Sequence, residues 1–230
     1  MDKPLKYTFS FIAERFEKLL IIVLCVQLPL LILHSIITNY TYAITPNVGT
    51  IYSVADIYYA LFTILFFLYA QIPFVKYTFN ELEGREGSLK NALYTFVVQG
   101  FPIFVFSCLI SILIIIGFSF FVVPGIIILS LFITAPIISI IDNKSVWKSI
   151  KEARLLFKKH FIKIILLISL WGTVEMVIGI IVNSFILNIT SSYAALAGVQ
   201  ILTNMLFYPL FIVLLTTSTL KWREGLRKLT

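Results

Sequence analysis

Charge is scarce in this chain. Only 13% of its 230 residues are Asp, Glu, Lys or Arg, about half the share of an ordinary soluble domain, where such residues run to roughly a quarter. Acid is scarcer than base, with 11 Asp and Glu against 18 Lys and Arg, which leaves a net charge of +7. Cysteine and histidine are almost missing, at two each. Apolar residues fill the gap: 60% of the chain is hydrophobic and the mean hydropathy is +1.00. An ordinary soluble domain is thereby excluded, as is a disordered chain, which cannot bury enough apolar surface to order itself. A nucleic-acid-binding protein is excluded too, despite the basic balance. The remaining class is a polytopic membrane protein.

A helix that crosses the hydrocarbon layer needs ~20 apolar residues, so the length is best counted in stretches free of charge. Leu19 to Ala55 is one, and its second half, Asn39 to Gly49, reads as a loop. Ile57 to Val75 is bracketed by Asp56 and Lys76. Asn91 to Ile141 suits two crossings, with a hinge expected between Gly117 and Gly125. Ile164 to Leu220 carries one charge, Glu175, and the polar patch Asn188 to Tyr193 divides it again. The expected spans are 19–38, 57–75, 93–116, 121–141, 163–187 and 199–220. The fold class is therefore all-α: one integral membrane domain over 1–230, with six transmembrane helices in three hairpins.

Base placement tests that count. Lys and Arg gather on the cytoplasmic side of spans. Four precede span one, three lie between spans two and three, seven between four and five, and four follow span six, which accounts for all 18. Both termini are accordingly expected in the cytoplasm of a cell with a plasma membrane as host. No cleavable signal is expected, because Glu14, Arg15, Glu17 and Lys18 come immediately before the first apolar run and no small-residue cleavage site follows it.

Interfacial helices are the next expectation. Leu5, Phe9, Ile12 and Phe16 keep helical spacing over 4–18. Val146, Ile150, Ala153, Phe157 and Phe161 do the same in a basic amphipathic helix over 145–161, with Ser145 as its N-cap. Both are expected to lie on the cytoplasmic face of the membrane. Lys144, Lys148, Lys151, Arg154, Lys158 and Lys159 would then meet anionic lipid headgroups, the first partner the sequence implies. Another membrane protein is the second, and no nucleic acid is expected. A short repeat links Ser88-Leu-Lys-Asn-Ala-Leu-Tyr-Thr-Phe96 to Ser149-Ile-Lys-Glu-Ala-Arg-Leu-Leu-Phe157, 61 residues later. The repeating unit would be an interfacial helix followed by two spans.

Chemistry has few places to reside. Glu175 falls near the centre of span five, where an ionisable residue is expensive and faces a bundle interior or a water-filled cavity. Two readings stand: a proton-carrying acid or ligand for a cationic group, and a structural carboxyl hydrogen-bonded to Gln27, Gln99 or Asn204. Tyr40, Tyr42, Tyr52, Tyr58, Tyr59 and Tyr193 are expected as anchors at the outer interface, Tyr7, Tyr77, Trp147 and Trp222 at the inner one. Pro29, Pro73, Pro102, Pro124, Pro136 and Pro209 put a proline in or beside every span except the fifth. Each interior proline removes a backbone hydrogen bond and bends its helix. Cys25 and Cys108 both fall inside spans, and His34 and His160 lie at opposite faces, so neither a disulfide nor a metal site is expected. No catalytic constellation, glycine-rich phosphate loop or cofactor signature is present, and the chain is expected to be no enzyme and to need no cofactor.

The stretch Phe121-Val-Val-Pro-Gly-Ile-Ile-Ile-Leu129, with Ala135-Pro136, Asp142-Asn143, Ser149-Ile-Lys-Glu-Ala153 and Phe157-Lys-Lys-His-Phe161, resembles a group of bacterial polytopic membrane proteins. They are the YciC-like inner-membrane proteins and the membrane domain associated with glycerophosphoryl diester phosphodiesterases. The resemblance implies the fold and carries over no active site, since in those phosphodiesterases catalysis belongs to a separate soluble domain. Two functions remain: a non-catalytic accessory or regulatory subunit working with lipid or another membrane protein, and a small transporter or resistance protein for a hydrophobic or cationic compound.

Overall fold

The computed structural model describes residues 4–46 and 53–227. Tyr52 lies outside the described residues, as do parts of the expected loop and Lys3 and Lys228. All regular structure among the described residues is helical. The helices are α1 (Pro4–Ile22), α2 (Leu28–Ile44), α3 (Val54–Leu82), α4 (Ser88–Phe120), α5 (Val122–Phe132), α6 (Thr134–Ile141), α7 (Val146–Leu187) and α8 (Tyr193–Arg227). A π-helical turn, Val23–Gln27, fuses α1 to α2, and α5 with α6 makes one broken rod. Among the described residues, six helical stretches are thus long and apolar enough to cross a membrane.

The proline positions explain the breaks. Pro29 follows the π turn, in which the Leu28 N–H donates five residues back to the Val23 carbonyl, and the wider turn absorbs the ring's clash with the preceding turn. Pro136 stands just after the break at Ile133. Pro73, Pro102 and Pro209 are carried inside continuous helices. Thr45 leaves the helical region at φ −89°, ψ 121°, as the residue before Pro46 is pushed to do.

One segment corrects the sequence reading. Asn39 to Ile44 is helix and not loop. No proline or glycine interrupts it, and hydroxyls back-bond along it: Thr41 Oγ1 donates to the Ile37 carbonyl and Thr45 Oγ1 to the Thr41 carbonyl, at 2.8 and 2.7 Å. Local polarity resembles that of a turn, but hydroxyl residues satisfy themselves on their own helix.

Most of the stripe of α7 packs onto the bundle. Val146, Ala153 and Leu156 join the buried core of the bundle, with Ile150 and Phe157 packed against it. Only Phe161 of the stripe faces outward. In α1 the order is reversed: Leu5, Phe9 and Phe16 are exposed, while Thr8, Phe11 and Leu19 are buried. Ser145 does stand at the N-cap of α7 but makes no side-chain cap; the Ser149 hydroxyl donates to its carbonyl instead, at 3.2 Å.

Three helices share one burial pattern. α1 buries Thr8, Phe11 and Leu19, α4 buries Ala92, Thr95 and Ile103, and α7 buries Ala153, Leu156 and Ile164. The α4 and α7 sets are offset by 61 residues at every position. Each set brackets a polar residue: Arg15, Gln99 and His160. Backbone angles leave the helical region at Arg15 (φ −120°, ψ 19°) and at His160 (φ −123°, ψ 23°). Each of these side chains meets the end of another helix. Arg15 Nε donates to Glu81 Oε2 at 2.6 Å, Gln99 Nε2 to Asn143 Oδ1 at 3.5 Å, and the His160 ring stacks on Trp222.

The same contacts gather the basic residues at one end of the bundle. There Arg223 holds Asp142 through two hydrogen bonds of 3.0 and 2.7 Å and Glu152 through one of 2.7 Å. Lys144 joins the same two carboxylates at 2.7 and 2.8 Å. The ends of α6 and α8 and the start of α7 are thereby tied together. Tyr42, Asp56 and Ser53 form the corresponding polar knot at the opposite end, where Ser53 and Asp56 make a capping box for α3.

A half-buried cavity around Glu175

A cavity of about 230 Å³ opens between α2, α3, α7 and α8, in the half of the bundle away from the basic end. Its polar wall is built by helix periodicity. On α2 and the π turn before it, Gln27, His34, Ser35 and Thr38 share one face, and on α8, Gln200, Asn204 and Tyr208 recur every four residues. Thr63 and Tyr59 come from α3 and Glu175 from α7. Leu30, Leu31, Phe66, Phe67, Trp171 and Phe211 complete an apolar and aromatic lining.

Most of these polar groups are already held. Gln27 Nε2 donates to the Asn204 carbonyl at 2.8 Å, which couples α8 to the π turn. Its Oε1 is buried without a partner among the described residues. Tyr208 donates its hydroxyl to the Phe67 carbonyl at 2.7 Å. His34 Nε2 lies 3.0 Å from Thr63 Oγ1, and its ring meets Tyr59 and Phe66 edge-on. Gln200 Nε2 reaches the Tyr59 hydroxyl at 3.5 Å. Two groups differ: among the described residues the Thr38 hydroxyl has no hydrogen bond, and the Glu175 carboxyl has neither a hydrogen bond nor an ion pair. None of Gln27, Gln99 and Asn204, its expected partners, binds it through a side chain.

Three of the four residues singled out in the sequence, Glu175, Gln27 and Asn204, therefore line one cavity. Gln99 does not. It stands near the basic end, beside Asn143. Tyr59, expected as an interface anchor, is part of the cavity wall. His34 and Gln200 were not singled out. Their signal was present in the sequence as polar residues recurring at helical spacing within apolar spans: Gln27 with His34, and Gln200 with Asn204.

The six basic residues expected at headgroups divide into two groups. Lys148, Lys151, Arg154 and Lys158 are exposed on α7 and have no partner among the described residues. Lys144 is engaged by Asp142 and Glu152, and Lys159 donates to the Gly225 carbonyl at 3.2 Å. Burial alone pushes the Asp142 carboxyl up, but the hydrogen bonds from Arg223 and Lys144 outweigh it and hold the group below the ordinary aspartate value. Burial likewise pushes the Lys144 ammonium down, and its two carboxylate partners more than reverse this. No cluster of His, Cys, Asp and Glu suited to a metal ion occurs among the described residues.

Compared with family models, with curated proteins and with solved structures, the chain matches none.

Proposed function

We propose that the chain is a multi-pass plasma-membrane protein that binds a compact cation, or the cationic head of an amphiphile, in the cavity around Glu175. Its role would be that of a small transporter or a resistance protein. The observation that carries this reading is an unpartnered carboxyl in a lipophilic, aromatic-lined space. A carboxyl in such a place either holds a proton or is offset by a cation, and the aromatic lining favours the cation. Trp171, Phe66 and Tyr59 line the same space, and a well-placed aromatic ring adds about 0.5–2 kcal/mol of attraction for a cation. The volume is below the ~300–1,000 Å³ of a drug-sized site, which suits a small ligand or a head group whose tail lies in lipid.

The burial pattern common to α1, α4 and α7 supports three repeated units, each a basic-end helix running into a hairpin. The gathering of all contacts made by Arg15, Lys76, Lys144 and Arg223 at one end supports placing that end in the cytoplasm. The exposed Lys148, Lys151, Arg154 and Lys158 then face anionic headgroups, at about 1 kcal/mol each near the surface. One observation bears on a second reading, an accessory subunit: the span within α7 is almost wholly exposed on the bundle, a face that another membrane protein would cover.

The test is calorimetric titration of the purified protein in detergent with phenyltrimethylammonium and with its neutral isostere tert-butylbenzene. The cation is expected to bind, and Glu175→Gln to weaken it tenfold or more, about 1.4 kcal/mol, without changing the neutral compound. Saturable Glu175-dependent uptake into liposomes would mark a transporter. Equal affinity of the two compounds, or indifference to Glu175→Gln, would sink the proposal. Stoichiometric co-purification of a second membrane protein would favour the accessory reading.

A further inference from the structure

Lys76 is the anomaly of the basic end. It is 3% exposed, yet no carboxylate pairs with it among the described residues. Its ammonium has one partner, Asn143 Oδ1 at 2.9 Å, and that is a neutral oxygen. The charge that bears on it is that of Arg85, itself a cation. By contrast the other buried cation of this end, Arg223, has two carboxylates. An ammonium taken out of water without a counter-charge costs several kcal/mol.

The surroundings are built for an acceptor-rich guest. Gln99 Nε2 reaches the same Asn143 oxygen at 3.5 Å. Asn80, one turn beyond Lys76 on the same face of α3, is fully buried with both side-chain polar atoms unpartnered. Buried amides rarely go unsatisfied. Asn143 itself is held at φ 48° in the left-handed region, and its side-chain oxygen meets the Lys76 ammonium. Asn143 is exposed and Gln99 half-exposed, so a guest would approach the buried ammonium from their side. The site also lies directly after Val75, the expected end of span two, where headgroup phosphates would be met.

We propose that Lys76, with the amides of Asn80, Gln99 and Asn143, forms an anion site for a phosphate group, independent of the Glu175 cavity. The guest is a phosphodiester of an anionic lipid or a free phosphate anion. Lys76 supplies the charge, and the amides supply N–H donors that rotate toward the guest.

The experiment is thermal unfolding of the full chain in a zwitterionic detergent, with added phosphatidylglycerol, phosphatidylcholine or inorganic phosphate, on wild type and two variants. Lys76→Met removes the charge with little change of volume. Asn143→Asp places a carboxylate beside the ammonium and tolerates the left-handed backbone. Wild type is expected to gain several degrees with an anion, and both variants to lose most of that gain. Without added anion, Asn143→Asp is expected to melt above wild type, so the test survives if Lys76→Met fails to fold. A gain with phosphatidylglycerol alone identifies a lipid, and a gain with inorganic phosphate identifies the free anion. The exposed lysines of α7 also attract anionic lipid, so Lys148→Gln/Lys151→Gln/Lys158→Gln is the control and should keep the Lys76-dependent part. Equal gains in wild type, Lys76→Met and Asn143→Asp, or no gain with any anion, would overturn the site.

Discussion

Arg223 shows how single residues decide the stability of the basic end. Its guanidinium is buried and forks onto Asp142 while its Nε reaches Glu152. A planar fork suits such bidentate pairing, and Lys would not replace it. Losing one partner of a largely buried pair costs more than the pair contributes, because the other charge is stranded. Arg223→Gln strands two carboxylates that then share Lys144, whereas Asp142→Asn leaves Glu152 to balance both cations. The expected order in a detergent melt is wild type above Asp142→Asn above Arg223→Gln. The first step should be ~2 kcal/mol, as for a charged hydrogen bond, or about 6 °C for a chain of this size. The pH dependence follows from the depressed Asp142 carboxyl. Stability from a depressed acid is fully present above its unfolded value of roughly 3.9 and is lost as pH falls through the lower folded value. Wild type should therefore lose melting temperature below about pH 4 more steeply than Asp142→Asn. Parallel acid limbs would remove Asp142 from the account. Legibility at this scale was uneven. Glu175 stood out because a charge in an apolar run is conspicuous. The link between Asp142 and Arg223 did not, because their separation of 81 residues is bridged only by packing.

Elements were legible where apolar length or proline set them, and less so where two helices had to touch. The break at Phe121, with φ −167° and ψ 164°, falls between Gly117 and Gly125, where the uncharged run was too long for one crossing. What the sequence did not reveal is why glycine is needed there. A Cβ on Gly117 would lie 2.7 Å from Ile128 and 3.0 Å from the backbone of Gly125, and a Cβ on Gly125 would collide with the Phe118 ring. The backbones of α4 and α5 meet in van der Waals contact, as small residues permit in membrane helices. Gly117→Ala should therefore destabilise by about 1–3 kcal/mol, the usual cost of overpacking. Gly172→Ala, in the middle of α7 with nothing within 4 Å, should be neutral or raise stability by up to roughly 1 kcal/mol through helix propensity. Opposite signs in one thermal-shift series are the expected result, and a harmless Gly117→Ala would mean that the two helices stand farther apart. The misread segment, Asn39 to Ile44, belongs here as well. A window of polar residues resembles a loop in sequence, and the back-bonded threonines that keep it helical are visible only once the helix exists.

At the scale of the whole molecule the question is which way the bundle faces. The chemistry of the two ends is unequal. One end carries the Arg15–Glu81 and Arg223–Asp142 pairs and the exposed bases of α7; the other carries Tyr42, Asp56 and Ser53 and no lysine or arginine among the described residues. Retention of basic segments on the cytoplasmic side predicts both termini there, so the Glu175 cavity, which lies toward the other end, would be nearer the exterior. Cysteine labelling decides it. Cys25 and Cys108 lie within apolar helices and can be replaced by alanine to clear the background. Lys151→Cys and Ser191→Cys then place single thiols on exposed positions at opposite ends. In intact cells a membrane-impermeant maleimide should label Ser191→Cys and spare Lys151→Cys until the membrane is broken. The reverse pattern would turn the molecule over. A cation bound at Glu175 would then be reached first from the cytoplasm, which suits capture for export, whereas the expected orientation exposes the site to compounds arriving from outside, as a resistance protein requires. The orientation thus chooses between the two roles that the cavity allows, and Glu175-dependent binding measured on inside-out and right-side-out vesicles would confirm the choice by showing ready access from one side alone.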